Sequence, residues 1–465
     1  DFDAHTGALA EADEGTVDRA LSAVTALAPV ATCDDVRTLT ARPKGPVGPE
    51  VDAVRSTVAT GRALAAIGKY KPAHERANEA AEAAKALGHP LLESEALSVR
   101  GFAQIRLGTY AEAAQSYERA ADRAQAGGDD RQVAEAQAQL VFAVGYARGN
   151  VDEGQSWARR AAATLERIGG DADLESSLES SISSMLSRVG RHDEAEVHAR
   201  TALDKLAHVQ RPNAYVALNR ATLVRNLAFD LMNQGKLDEA RIEAKRALEL
   251  SISALGPLHP EVAEAITILA GADIRAGDAA ASLVNYEKSL ALFESQLGPD
   301  NIRVGVEVMN LSEPLKRLHR FSEATRALDR AARIFEAVGN TRLLASVHER
   351  KGEVFAETKD WSHAEESFRL ALPILDKDAN PVRAAETRVA LGKLLIERRD
   401  LAGAVEVLHQ AVVALEKGHS ADVAIHVEAV SQRGRARVAL GQVALGLADL
   451  ERAVALGAAT PDALE

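Results

Sequence analysis

Apolar residues recur along this chain at helical spacing, in pairs of segments joined by a short turn, and the pairs themselves repeat. A small turn residue, a bulky residue two later, and small residues five and twelve after the turn recur in ten copies. Their turns fall at Gly68, Gly108, Gly149, Gly190, Gly235, Gly277, His319, Lys359, Arg399 and Gly441, spaced 40 to 45 residues apart. The position five after the turn is Ala, Ser or Gly in every copy, as in Ala73, Gly154 and Ser282, and the position twelve after is always Ala or Ser, as in Ala120 and Ser289. Two antiparallel helices approach closely only where one presents small residues, and larger ones between them, such as Tyr117, Tyr286, Leu328, Phe368 and Leu408, then fill the groove. A single hairpin of this kind leaves its second face uncovered, so the pattern predicts an all-α solenoid of about ten stacked hairpins over residues 51–456.

The ends break the pattern. Val17, Ala20, Leu21, Val24 and Leu27 are spaced as one amphipathic helix within an N-terminal helical segment, 1–41. Residues 42–50, with prolines at 43, 46 and 49, read as a Pro/Gly-rich linker, and 457–465, with Pro461, as a frayed tail.

Composition sharpens the picture. Hydrophobic residues make up 46% and aromatics only 4%, so alanine carries much of the apolar content and favours helices over sheets. The formal net charge of −13 opposes binding to phosphate backbones, and no nucleic-acid partner is expected. Cys33 is the only cysteine, which excludes an internal disulfide and a cysteine zinc site. No apolar run is long enough to span a bilayer. The chain starts at Asp1 without a leader-like segment, which reads as a fragment or processed piece.

Catalytic chemistry finds no purchase. A phosphate loop needs glycines followed by Lys and Ser or Thr, and none is present; Gly127-Gly128-Asp129-Asp130 is acidic and reads as a turn. His192 and His198 are six apart and face different ways on a helix, adjacent carboxylates such as Glu365-Glu366 diverge, and the serine-rich run from Ser176 to Ser187 lacks a neighbouring histidine base. No catalytic residue, metal site or cofactor is expected.

The repeat resembles the tetratricopeptide repeat, in an elongated form similar to that of kinesin light chains, whose inter-repeat loops Leu255-Gly256-Pro257-Leu258-His259-Pro260 and Leu297-Gly298-Pro299-Asp300 echo. The resemblance implies a right-handed superhelical array whose first helices line a concave groove, with side chains ten and six before each turn, and two or three before it, pointing inward. On this sequence those rules select Arg62, Arg106, Gln139, Met232, Glu357, Lys393, Glu397 and Arg435, and, as the stronger candidates, Arg188, Arg225, Asn233, Arg275, Lys316, Arg317, Glu349 and Glu353; Asn226 and Asn310, at matching positions in their repeats, join them. The inner face is then basic from Arg188 to Arg317 and acidic around Glu349 and Glu353, a polarity suited to an acidic peptide. Solvated charges and inter-repeat salt bridges are the alternative reading of the same residues.

A second resemblance joins Cys33-Asp34-Asp35-Val36, the proline-rich stretch and the alanine-rich repeats to the region that follows the kinase domain in large serine/threonine kinases of myxobacteria and their relatives. It implies a parent with an upstream kinase domain, often followed by a membrane helix. The chain itself has no glycine-rich loop with a strand lysine and no kinase catalytic loop. The expected function is therefore a protein- or peptide-binding scaffold, the docking region of a larger signalling protein, and not an enzyme. The non-catalytic part of a kinase and a small-ligand sensor are the alternatives. A cytoplasmic location is favoured, with tethering through an upstream segment as the other arrangement.

Overall fold

The structure, a computed structural model, describes residues 2–10, 46–209, 214–377, 381–417 and 423–458. The expected helix at 16–28, Cys33, residues 42–45 of the proline-rich linker and the tail beyond Ala458 lie outside the described residues. Among the described residues every regular element is helical.

The first compact unit comprises residues 1–292. A short helix, α1 (Phe2–Ala10), lies against the first of a run of hairpins. These are α2 (Pro49–Ala66) with α3 (Tyr70–Ala86), α4 (Pro90–Leu107) with α5 (Tyr110–Gly127), α6 (Asp130–Leu140) with α7 (Val151–Arg167), α8 (Ala172–Arg188) with α9 (His192–Ala207), α10 (Ala214–Asn233) with α11 (Leu237–Leu255), and α12 (Pro260–Arg275) with α13 (Ala279–Leu297), whose last five residues belong to the second unit. In the second unit, residues 293–465, α14 (Ile302–Asn310) and α15 (Ser312–Arg317) together face α16 (Phe321–Ala337). They are followed by α17 (Thr341–Glu357) with α18 (Trp361–Leu375), α19 (Val382–Glu397) with α20 (Leu401–Lys417), and α21 (Val423–Ala439) with α22 (Val443–Ala458). The array thus opens at Pro49, inside the stretch the sequence assigns to the linker: a proline at the first helical position loses no intrahelical bond.

The turn positions are where the fold is decided. All ten carry a left-handed backbone, from φ 58° at His319 to 89° at Gly277. In nine of them the next residue donates its N–H to the carbonyl five back, as Lys69 does to Leu64 and Asp400 to Leu395, which closes the first helix and aims the second back along it. The first helices are started as deliberately. His89, Asp129, Asp171, His259, Asn301 and Asn340 each accept a backbone N–H from the opening turn that follows.

The small residues five and twelve after each turn are buried in all ten copies. Opposite them, a glycine seven before the turn receives the large residue nine after it: Gly101 meets Tyr117, Gly352 meets Phe368 and Gly392 meets Leu408. Two first helices depart from the plain form. Pro314 cannot donate to the carbonyl of Asn310, four residues earlier, and the helix breaks there into α14 and α15. In the third repeat α6 continues into a π-helical segment, Val141–Ala147, whose register brings Gly145 against Gly154 and the Met185 sulfur.

Candidate ligand face on the first helices

Within each unit, first helices of neighbouring repeats lie side by side, and the polar residues chosen from the sequence sit on them. In the first unit Arg225 on α10 donates to Glu261 on α12 at 2.6 Å, and Arg275 on α12 reaches back to α10, donating to the Met232 carbonyl at 3.0 Å and the Asn233 side-chain oxygen at 3.1 Å. Arg62 pairs with Glu95 across α2 and α4 at 3.6 Å. In the second unit Lys316 bridges Glu313 at 2.9 Å and Glu353 on α17 at 2.7 Å, while Arg317 donates to Glu313 at 2.8 Å. Glu349 accepts from Arg383 and, at 2.6 Å, from the Thr387 hydroxyl on α19, and Lys393 pairs with Glu428 on α21.

Apart from the Lys316–Glu313 and Arg317–Glu313 pairs, which lie within α15, these contacts are rungs of a ladder that join one repeat to the next within a unit, and partly exposed rungs of this kind contribute about 0.2–1 kcal/mol apiece. Burial pulls the Lys316 ammonium down, but hydrogen bonds to Glu353 and Glu313 outweigh it and hold the group above the usual lysine range. Glu313 mirrors it: burial pushes the carboxyl up, and Lys316 and Arg317 bring it below the ordinary glutamate value.

The structure therefore brings Asn233 together with Arg275, Lys316 with Glu353, and Lys316 with Arg317 through Glu313. It leaves Arg225 and Glu349 with partners outside the chosen set. Asn226 and Asn310 are half-buried, and Asn310 ends α14 where Pro314 interrupts the helix. Arg188 is exposed and rests over the Tyr146 ring, its guanidinium carbon 5.4 Å from the centroid.

Three polar clusters were not legible in the sequence. Glu196 on α9 accepts from Arg200 at 2.8 Å and, across the repeat boundary, from Lys236 at 2.8 Å. His192 lies 2.8 Å from Asp230, whose side chain is almost wholly enclosed, and burial pushes the Asp230 carboxyl up. At the far end Asp449 receives a fork of two bonds from Arg433, at 2.9 and 2.6 Å, and a third from Arg437 at 2.8 Å. A search for opposite charges one repeat apart would have found the first two.

Among the described residues no group of three or more His, Cys, Asp or Glu is placed to hold a metal ion, and no helix is long and apolar enough to cross a membrane. A cleft of 820 Å³ runs between α1 and the first hairpin, lined by Asp3, Thr60, Lys69, Glu75 and Arg76 among others.

The tetratricopeptide repeat family profile matches residues 219–304, which covers α11, α12 and α13, most of α10 and the first residues of α14. No curated protein matches the chain in sequence. Solved structures do match in fold. The apo form of RapI aligns over 75% of this chain and 99% of its own, with 13% identity and a TM-score of 0.51. A Rap protein complexed with competence and sporulation factor aligns over 86% of this chain and 100% of its own, with 14% identity and a TM-score of 0.50. A thermophilic tetratricopeptide protein of Thermus thermophilus aligns over 46% of this chain and 98% of its own, at 23% identity and a TM-score of 0.35. At these identities the likeness is one of fold: an all-α solenoid of tandem tetratricopeptide-type hairpins.

Proposed function

We propose that this chain is a protein- or peptide-binding scaffold that presents the exposed side chains of its first helices to a partner. The observation that carries the reading is the ladder itself. Within each unit, successive first helices lie beside one another and their charged side chains brace the repeats, which gives a partner a preorganised polar face of several residues instead of a single pocket. The complex of a Rap protein with competence and sporulation factor supports the reading at the level of the fold. The test is a selection of random-sequence peptides on the immobilised chain, followed by hydrogen–deuterium exchange of the best binders. The reading expects protection along α4, α8, α10 or α12. Failure to enrich any peptide, or protection confined to second helices, would overturn it.

We further propose that the array is the docking region of a larger signalling protein, such as a serine/threonine kinase. The order of the Cys33-Asp34-Asp35-Val36 motif, the proline-rich stretch and the repeats supports this. Reading the gene upstream of Asp1 tests it, and a start codon within a few residues would sink it.

A further inference from the structure

The chain has few aromatic residues, yet four of them gather in two constellations of the same make. In the first, Arg106 at the end of α4 stacks over Tyr70 at the start of α3, 5.2 Å from the ring centroid, with the Phe102 ring edge-on to Tyr70 at 6.4 Å. In the second, Arg188 at the end of α8 stacks over Tyr146 at 5.4 Å, and Phe142 lies stacked on Tyr146 at 4.8 Å. Each spans two consecutive repeats, the first and second or the third and fourth. Each arginine stands two residues before a left-handed turn, Gly108 or Gly190. Arg160 over Trp157 is different in kind, since both lie on one helix three residues apart.

The contrast with the ladder is in the partners. Arg275 occupies the same register in the sixth repeat, and its guanidinium is used up on the Met232 carbonyl and Asn233. Arg106 and Arg188 are exposed and, among the described residues, have neither a carboxylate nor a hydrogen-bond partner. A ring face holds a guanidinium flat and excludes water from one side without neutralising it, which leaves the row of N–H donors at its edge free for a planar anion. Carboxylate is the group that matches this fork with two parallel bonds.

We infer that Arg106 and Arg188 are paired anchors for an acidic peptide segment, deepening the scaffold reading above and resting on it. They sit two repeats apart. Helix packing at roughly 10 Å per step puts about 20 Å between them, a span covered by about six residues of extended peptide. The ligand class is thus an extended segment with two carboxylates separated by about six residues. Stacked rings with arginine also suit nucleobases, but strand binding requires many neutralising cations and this chain carries a net charge of −13.

The test uses fluorescein-labelled decapeptides of Gly and Ser bearing two glutamates placed side by side, three apart or six apart, a matching peptide with two lysines, and a labelled thymidine decanucleotide. Fluorescence anisotropy should show tightest binding for the wide glutamate pair, at least tenfold weaker binding with Arg106→Gln or Arg188→Gln, and partial recovery with Arg→Lys at either site. Arg160→Gln should leave affinity within twofold, since that side chain also stacks on a ring but lies on a second helix, α7. Circular dichroism melts show whether each variant stays folded. Indifference to glutamate spacing, unchanged affinity in the Arg106→Gln/Arg188→Gln double variant, or tighter binding of the oligonucleotide would each overturn the inference. Peptides from the random selection that bind without any dependence on Arg106 and Arg188 would do the same while leaving the scaffold reading intact.

Discussion

The ring of Phe368 lies against the backbone of Gly352 so closely that a β-carbon on that glycine would stand 2.6 Å from it. The same contact recurs between Gly101 and Tyr117, at 2.9 Å. Gly352→Ala gains about 1 kcal/mol in helix propensity and loses about 1–3 kcal/mol to overpacking against a ring that cannot bend away. The expected outcome is a net loss, seen as a lower denaturation midpoint. Gly61 is the control: its nearest neighbours are 3.5 Å from such a carbon, so Gly61→Ala should stabilise by up to about 1 kcal/mol.

His319, Lys359 and Arg399 hold the left-handed turn without being glycine, at φ 58°, 60° and 65°. That conformation costs an L-residue about 1–2 kcal/mol, while glycine adds about 0.4–1 kcal/mol of unfolded-state freedom. Lys359→Gly should therefore raise stability by roughly 0.5 kcal/mol, and Gly190→Ala should lower it by about 1 kcal/mol. Urea titrations with unchanged slope read both, and a destabilised Lys359→Gly would refute the strain argument.

Asp449 is the hub of the last hairpin, with both Arg433 and Arg437 bound and the Arg433–Asp449 pair enclosed. Removing one partner of such a pair strands the other charge. Asp449→Ala should cost about 3–5 kcal/mol, expressed as fast amide exchange confined to α21 and α22. Replacing both partners by apolar residues of similar volume should do less damage than the single change. An equal or larger loss in the double variant would show that the pair itself is the stabilising element.

Burial pushes the Glu196 carboxyl up, but hydrogen bonds from Lys236, Arg200 and Gln234 bring it down to about 2 against an ordinary value of 4.5. A carboxyl whose pKa is lower folded than unfolded stabilises the fold above the unfolded value, and that contribution fades as pH falls from 4.5 toward 2. The junction of α9 with α11 should therefore loosen in acid over that window. Glu196→Gln should flatten this part of the stability profile, measured by urea titration at a series of pH values; an unchanged profile would contradict the assignment.

The sequence was most informative where each repeat must meet a local rule. The ten turns, including the three without glycine, and the buried small positions such as Ala73 and Ala120 are set by backbone sterics and close packing within one hairpin, and both leave marks at fixed spacing. That Arg225, Arg275 and Lys316 lie on first helices was legible for the same reason. Their partners were not, because Glu261, Asn233 and Glu353 lie a repeat away and several charges compete at that distance. The stacks of Arg106 on Tyr70 and Arg188 on Tyr146 escaped notice because the two rings occupy different registers, one after its turn and one before it. The break at Asn310 was written in Pro314, a mark that the repeat pattern overrode.

The π segment Val141–Ala147 behaves as a length correction. One more residue separates the start of α6 at Asp130 from its turn at Gly149 than separates Pro90 from Gly108 in the preceding repeat, and Asn150 closes the helix on the carbonyl six back, Val144, where the other turns use five. The surplus is taken up inside the helix, and α7 still packs back along α6 and its π segment. A tandem protein that can store an inserted residue this way is not confined to its loops when its length changes, and single-residue indels within such helices become survivable edits.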